Sequence, residues 1–101
     1  MTQDYSGTNI YIIGAGIAGT MLAREIREKG IFGSVIAFLD DDGSKIGKAI
    51  DGIPVLGPIR QIARLVRIGP KDEALIAIPS ASPETLREIH EVLKAAGFSR
   101  I

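Results

Sequence analysis

Apolar positions along this chain follow two rhythms. Some form short unbroken runs bounded by glycine, proline or aspartate, and others recur every three or four places. Asn9 to Ile13 is a run of the first kind, and its β-branched residues without polar alternation predict a strand covered on both faces. Ile17 to Lys29 follows the second rhythm, with Ala18, Leu22 and Ile26 at i, i+4 and i+8 and Gly30 as a stop. Ser34 to Leu39 predicts a second strand that runs into Asp40, Asp41 and Asp42. Gly43, Gly47 and Gly52 then punctuate a polar loop. Ile53 to Leu56 predicts a third strand, placed at a sheet edge because Pro54 has no N–H for a ladder. Pro58 suits the first turn of a helix expected to reach about Arg67.

Ala74 to Ile78 predicts a fourth strand, ended by Pro79. Ser82 is a good N-cap with Pro83 next to it, and the helix that follows carries Leu86, Ile89, Val92, Leu93 and Ala96 on one face. Gly97 ends that helix, and GFSRI reads as the opening of a fifth strand. Strands alternating with helices imply an α/β, Rossmann-like three-layer domain. Its parallel sheet has the expected spatial order 3-2-1-4, which the fifth strand would extend. Residues 1–8 form a polar leader and 9–101 the domain, with no internal repeat. The chain stops where a second half would begin, so it is expected to be a fragment of a longer protein.

Composition narrows the classes. A chain of 101 residues holds one domain, and 46% hydrophobic residues supply its core. Twelve basic residues balance twelve acidic ones, so charge gives no argument for a nucleic-acid partner or a membrane surface. The absence of cysteine excludes disulfides and thiolate metal sites and fits a reducing compartment. No apolar run approaches the ~18 residues of a membrane span, and MTQDYSGT lacks a signal-peptide core. A cytoplasmic location is expected.

Gly14, Gly16 and Gly19 spell G-x-G-x-x-G between a strand and a helix. Gly14 permits the tight turn, Gly16 lets a pyrophosphate approach the backbone beside Ala15, and Gly19 lets helix and strand pack closely. The N–H groups at Ile17 and Ala18 would face the phosphates. Asp40 closes the second strand about 20 residues on, where a carboxylate accepts ribose hydroxyls. A carboxylate there repels a 2′-phosphate and no arginine lies beside it, so NAD is favoured over NADP. The alternative is a fold that keeps the loop without a ligand. Asp41 joins the cofactor-binding candidates, although it and Asp42 also suit turn formation before Gly43. Pro79 and Ser80 lie across the switch point, where Ser80 could bond a ribose or phosphate; Ser82 is read as a cap.

Nothing comparable points to catalysis or to a metal. His90 is the single histidine, at the rim of an apolar stripe, and no cysteine accompanies it. Neither Tyr5 nor Tyr11 has a lysine four residues later, so the Tyr-x-x-x-Lys pair of short-chain dehydrogenases is absent. Arg60, Arg64, Arg67 and Lys71 share one face of a helical wheel if the helix continues that far, opposite Ile59, Ile62 and Val66. That face is either solvated or a docking surface for an acidic partner, another domain or anionic lipid.

GAGIAG, AFLDDDGSKIGKAIDGIPVLG and ALIAIPSASPETLREI together cover nearly the whole chain. They resemble the N-terminal Rossmann-like, CoA-binding-like domain of nucleotide-sugar epimerase/dehydratases of bacterial polysaccharide biosynthesis. The resemblance implies a parent with preceding transmembrane helices, this domain on the cytoplasmic side, and a following catalytic domain. It implies phosphate binding at Gly14, Gly16 and Gly19 and ribose binding at Asp40, with NAD as the expected ligand and CoA or a UDP-sugar as alternatives. The first two stretches are also similar to the NADH-sensing domain of the redox repressor Rex. A third relation is the nucleotide-sugar-binding domain of sugar acyltransferases. The open edge expected at the third or fourth strand would allow a homodimer.

Overall fold

The computed structural model describes residues 7–101, so Tyr5 and most of the polar leader lie outside the described residues. In chain order the elements are β1 (Asn9–Ile13), α1 (Ile17–Lys29), β2 (Ser34–Leu39), β3 (Ala49–Ile50) and β4 (Ile53–Leu56). A 3-10 turn (Ile59–Gln61), α2 (Ile62–Leu65), β5 (Asp72–Ile76) and α3 (Pro83–Ala96) complete the set. The sheet has the order β3-β4-β2-β1-β5, with β4, β2, β1 and β5 mutually parallel and β3 antiparallel to β4.

β1 sits at the centre because alternate residues serve two separate cores. Ile10 and Ile12 pack with Ala23 and Ile26 of α1 and with Phe38 and Val55. Tyr11 and Ile13 point the other way, to Leu39, Ile62, Leu93 and Phe98. The period-two alternation of a strand therefore builds three layers. Each fully buried Ile or Leu contributes about 1.5–3 kcal/mol. The helix ends follow their capping residues. Gly30 takes a left-handed φ of 62° and its N–H donates to Ile26 O. Ser82 Oγ accepts from the N–H of Thr85 at 3.1 Å, which satisfies one of the open donors of the first turn of α3.

Several expectations need correction. The four anticipated strands stand in the expected order, but β3 adds a fifth, antiparallel member beside Pro54, with Ala49 opposite it. The outer side of the anticipated third strand is therefore covered rather than open. The fifth strand expected at Gly97–Ile101 shrinks to one parallel bridge between Arg100 and Glu73, on the far side of β5. β5 itself both begins and ends two residues earlier than expected, which leaves Ala77 and Ile78 in the chain after it. Its opening charge, Asp72, is buried and satisfied by Asn9 Nδ2 at 3.0 Å and the N–H of Gly69 at 2.6 Å.

The helix expected to reach Arg67 is only the 3-10 turn followed by the single turn α2, and Val66 is extended with φ −142°. Extension lets Val66 and Ile68 both pack on the α3-side core, a tertiary gain that overrides helix propensity. Arg67 and Lys71 thus leave the proposed basic face. Arg60 instead points its Nη2 at Glu88 Oε2, 3.5 Å away. Leu86, assigned to the buried stripe of α3, is 37% exposed. No helix among the described residues is long and apolar enough to cross a membrane.

Candidate functional site

The carboxyl ends of β1, β2 and β5 open onto a cleft of about 530 Å³. This is where open parallel sheets bind ligands, and the volume falls within the roughly 300–1,000 Å³ of small-molecule sites. The glycine loop forms one wall with Gly14, Gly16, Ile17 and Ala18, and the chain after β5 forms the opposite one through Ala77 to Ser80. Ile59 and Ile89 add apolar side chains to the lining.

The three glycines differ in what the protein demands of them. Gly14 has φ +112°, and a Cβ there would stand 2.6 Å from Ala77 O. A Cβ on Gly19 would run into the carbonyl oxygen of Gly14, so that position holds helix and loop together. Gly16 is unlike both. Its φ of −86° suits any residue, and its missing Cβ would meet no heavy atom of the described residues within 4 Å. It is the N-cap of α1 yet offers no capping side chain, and the first-turn N–H groups of a helix have no partner within it. The positive end of α1 thus faces the cleft uncapped.

Three consecutive aspartates share four backbone donors, and no donor serves two of them. Asp40 Oδ2 accepts the N–H of Ala15 at 2.8 Å, and its Oδ1 accepts the N–H of Asp42 at 2.9 Å. Asp40 therefore anchors the glycine loop itself. Asp41 Oδ1 accepts the N–H of Ile59 at 2.8 Å and starts the 3-10 turn. Asp42 Oδ1 takes both the N–H of Ser44 at 2.9 Å and its hydroxyl at 2.7 Å. Those bonds, and then the charges of Lys45 and Lys48, hold the Asp42 carboxyl below its ordinary range.

Of the ten residues singled out from sequence, Gly14, Gly16, Ile17, Ala18, Asp40, Asp41, Pro79 and Ser80 line the cleft. Ala15 and Gly19 lie behind the lining, Ala15 as the residue Asp40 grips. Ser82 caps α3. His90 is exposed on α3 and is not part of the lining. Tyr11 is in the core, edge-on to Phe98 at 5.6 Å between ring centres. Burial, and then the charge of Asp72, pushes its phenol pKa up.

Sequence reasoning missed Lys45 and Thr85, which supply polar groups, and the three isoleucines Ile59, Ile78 and Ile89. Lys45 Nζ reaches Ala15 O at 3.3 Å. A cation therefore does lie beside the glycine loop, a lysine rather than an arginine. The signal available was a lysine five places after Asp40 in a loop bound to return toward the sheet.

Among curated proteins, the chain is 34% identical over 89 residues to the Bacillus subtilis (strain 168) protein named Probable polysaccharide biosynthesis protein EpsC. That match covers 87% of this chain and 15% of EpsC. It is 32% identical over 83 residues to the Redox-sensing transcriptional repressor Rex of Desulforamulus reducens, covering 80% of this chain and 38% of Rex. The chain thus spans well under half the length of these relatives. Among solved structures, the UDP-D-quinovosamine 4-dehydrogenase from Vibrio fischeri superposes with a TM-score of 0.75 at 32% identity, over 90% of this chain and 73% of that one. RSP in complex with β-NADH shares the fold, with a TM-score of 0.74 at 19% identity over 92% of this chain and 43% of that one. The family model described as CoA-binding domain matches residues 2–97, nearly the whole length, and the chain belongs to that family.

Proposed function

We propose that this chain is a non-catalytic nucleotide-binding domain of the NAD(H) type, carried by a nucleotide-sugar epimerase or dehydratase of polysaccharide biosynthesis. The observation that carries the reading is Gly16. Nothing among the described residues requires glycine there, and it opens the uncapped N-terminus of α1 to a cleft of about 530 Å³. A pyrophosphate over Gly16 would accept from the N–H groups of Ile17 and Ala18 and meet the helix dipole. The adenosine ribose would share Asp40 with Ala15, since each carboxylate oxygen accepts more than one bond. The base would lie against Ile59 and Ile89, with Pro79 and Ser80 flanking the other side.

Similarity to EpsC supports the polysaccharide setting and similarity to the Vibrio fischeri dehydrogenase the nucleotide-sugar one, with catalysis assigned to another part of the parent. The domain is then cytoplasmic, on that side of any membrane anchor of the parent. NAD(H) is preferred to CoA or a UDP-sugar because Asp40 lies where ribose hydroxyls are read. The Rex relation favours one second reading, an NADH-responsive regulatory module. A parent reading frame with a Tyr-x-x-x-Lys domain after residue 101 supports the first reading, and an upstream winged helix supports the second. Calorimetric titration of the chain with NAD, NADH, NADPH, CoA and UDP-sugars tests binding directly. Saturable NADH binding is expected. Turnover of a UDP-sugar by these residues alone would overturn the non-catalytic assignment.

A further inference from the structure

The aspartates of the cleft are accounted for by the fold, whereas its lysine is not. Lys45 is half-buried and lines the cleft. Among the described residues its ammonium makes one hydrogen bond, to the neutral carbonyl of Ala15 at 3.3 Å, beyond the usual 2.7–3.2 Å range. An ammonium has three donors, so this contact leaves most of its capacity unused.

The base of the side chain, by contrast, is firmly set. The N–H of Lys45 donates to Asp42 O at 2.9 Å, and Lys45 O accepts the N–H of Lys48 at 3.0 Å. The neighbouring Ile46 packs so closely on Gly57 that a Cβ there would meet Ile46 Cδ1 at 2.8 Å. An organised loop therefore projects a weakly bonded cation across the glycine loop. Ala15 is held firmly by Asp40 at its N–H and only loosely approached by Lys45 at its carbonyl.

We propose that Lys45 clamps a phosphate group of the ligand bound at the glycine loop. The proposal rests on the nucleotide-binding reading and adds a specificity residue to it. A phosphate oxygen is a stronger acceptor than an amide carbonyl, roughly twice so when both partners are charged, and would draw Nζ away from Ala15. Two phosphates qualify: the pyrophosphate over Gly16, and a phosphate on the adenosine ribose, as in NADPH or CoA. In the second case Lys45 would offset the charge of Asp40.

The test titrates the wild-type chain, Lys45→Met and Lys45→Arg with NADH, NADPH, CoA and a UDP-sugar at low and moderate salt. Met keeps the apolar stem and removes the charge. Lys45→Met should lose affinity by about tenfold with a shallower salt dependence, while Lys45→Arg keeps most of it. A loss for all four ligands assigns the pyrophosphate, and a loss confined to NADPH and CoA assigns the ribose phosphate. Equal affinity of wild type and Lys45→Met for every ligand overturns the proposal while leaving the site intact. A wild type that binds none of them overturns the nucleotide reading itself, and the clamp with it.

Discussion

Asp40 offers the most informative single substitution, because the structure gives it two duties that Asp40→Ala removes together. The first is structural. Ala15 is 3% exposed with Asp40 in place, so Asp40→Ala leaves its N–H without the acceptor it now has in a largely buried position. A buried donor left unpaired costs about 1–3 kcal/mol. Asp42 is exposed, and its N–H can recruit solvent once Oδ1 is gone, so that bond adds little. The sum is about 2 kcal/mol, which in a domain of this size lowers Tm by roughly 8–16 °C. The second duty is the proposed ribose contact, at about 1.5–3 kcal/mol for a charge-assisted bond, or at least about tenfold in NADH affinity.

The two duties separate by experiment. Asp40→Asn keeps an oxygen for the N–H of Ala15 and should recover most of the stability, read by calorimetric melting without ligand. For the ribose, the wild type and Asp40→Asn are each titrated with NADH and with its analogue lacking the adenosine 2′-hydroxyl. If Asp40 reads that hydroxyl, its removal weakens the wild type and hardly affects the variant, the non-additivity of contacting groups. Equal losses in both proteins would refute the ribose contact. A Tm for Asp40→Ala within about 2 °C of wild type would refute the structural duty.

Gly16→Ala and Gly19→Ala should behave oppositely. Gly19→Ala forces a Cβ into the backbone of Gly14 and should cost about 3 kcal/mol in urea unfolding, while Gly16→Ala leaves stability unchanged or slightly higher and weakens pyrophosphate ligands. Ser82→Ala removes the acceptor for the N–H of Thr85 and should cost about 1 kcal/mol in the same assay. Tyr11 has its folded pKa raised above the ordinary 10.0, so the stability linked to its neutral phenol is fully present below 10.0 and is lost as pH climbs from there through the raised folded pKa. Urea melts on either side of pH 10 should therefore show an alkaline loss that Tyr11→Phe reduces, and an identical loss in that variant would assign it to other groups.

What the sequence revealed of the fold depended on periodicity. β1, α1, β2 and α3 carry enough apolar positions for a rhythm to register, and their ends bear glycine or serine caps. Two-residue β3 has no rhythm, so it escaped notice. Its turn did leave a signal in Asp51-Gly52, whose φ values of 53° and 81° are the left-handed pair that an Asp-Gly hairpin adopts. α2 misled for the opposite reason. Ile59, Ile62 and Val66 have helical spacing, yet Val66 reaches the core from extended backbone, because spacing alone does not say which side of a helix end a residue lies on. Asp72 hid the start of β5, since a charge at a strand's first position breaks the apolar run unless its partners, Asn9 and Gly69, are known to be there.

The site was legible in its members more than in their division of labour. Asp40, Asp41 and Asp42 are chemically identical in sequence, and one motif assigns only the first. In three dimensions each organises a different part of the cleft: Asp40 the glycine loop, Asp41 the 3-10 turn that brings Ile59 into the lining, and Asp42 the loop that presents Lys45. These are local carboxylate bonds to backbone N–H groups, and which donor each one finds depends on how the chain after β2 returns to the sheet. The outcome has a mechanistic consequence. Because Asp40 is bonded to Ala15, a ligand that pulls on Asp40 pulls on the glycine loop, and one that attracts Lys45 releases the carbonyl of the same residue. Ribose and phosphate would then act on opposite ends of Ala15. The contributions of the two halves of a nucleotide should accordingly be non-additive, a coupling that the Asp40 and Lys45 substitutions combined in one chain would measure.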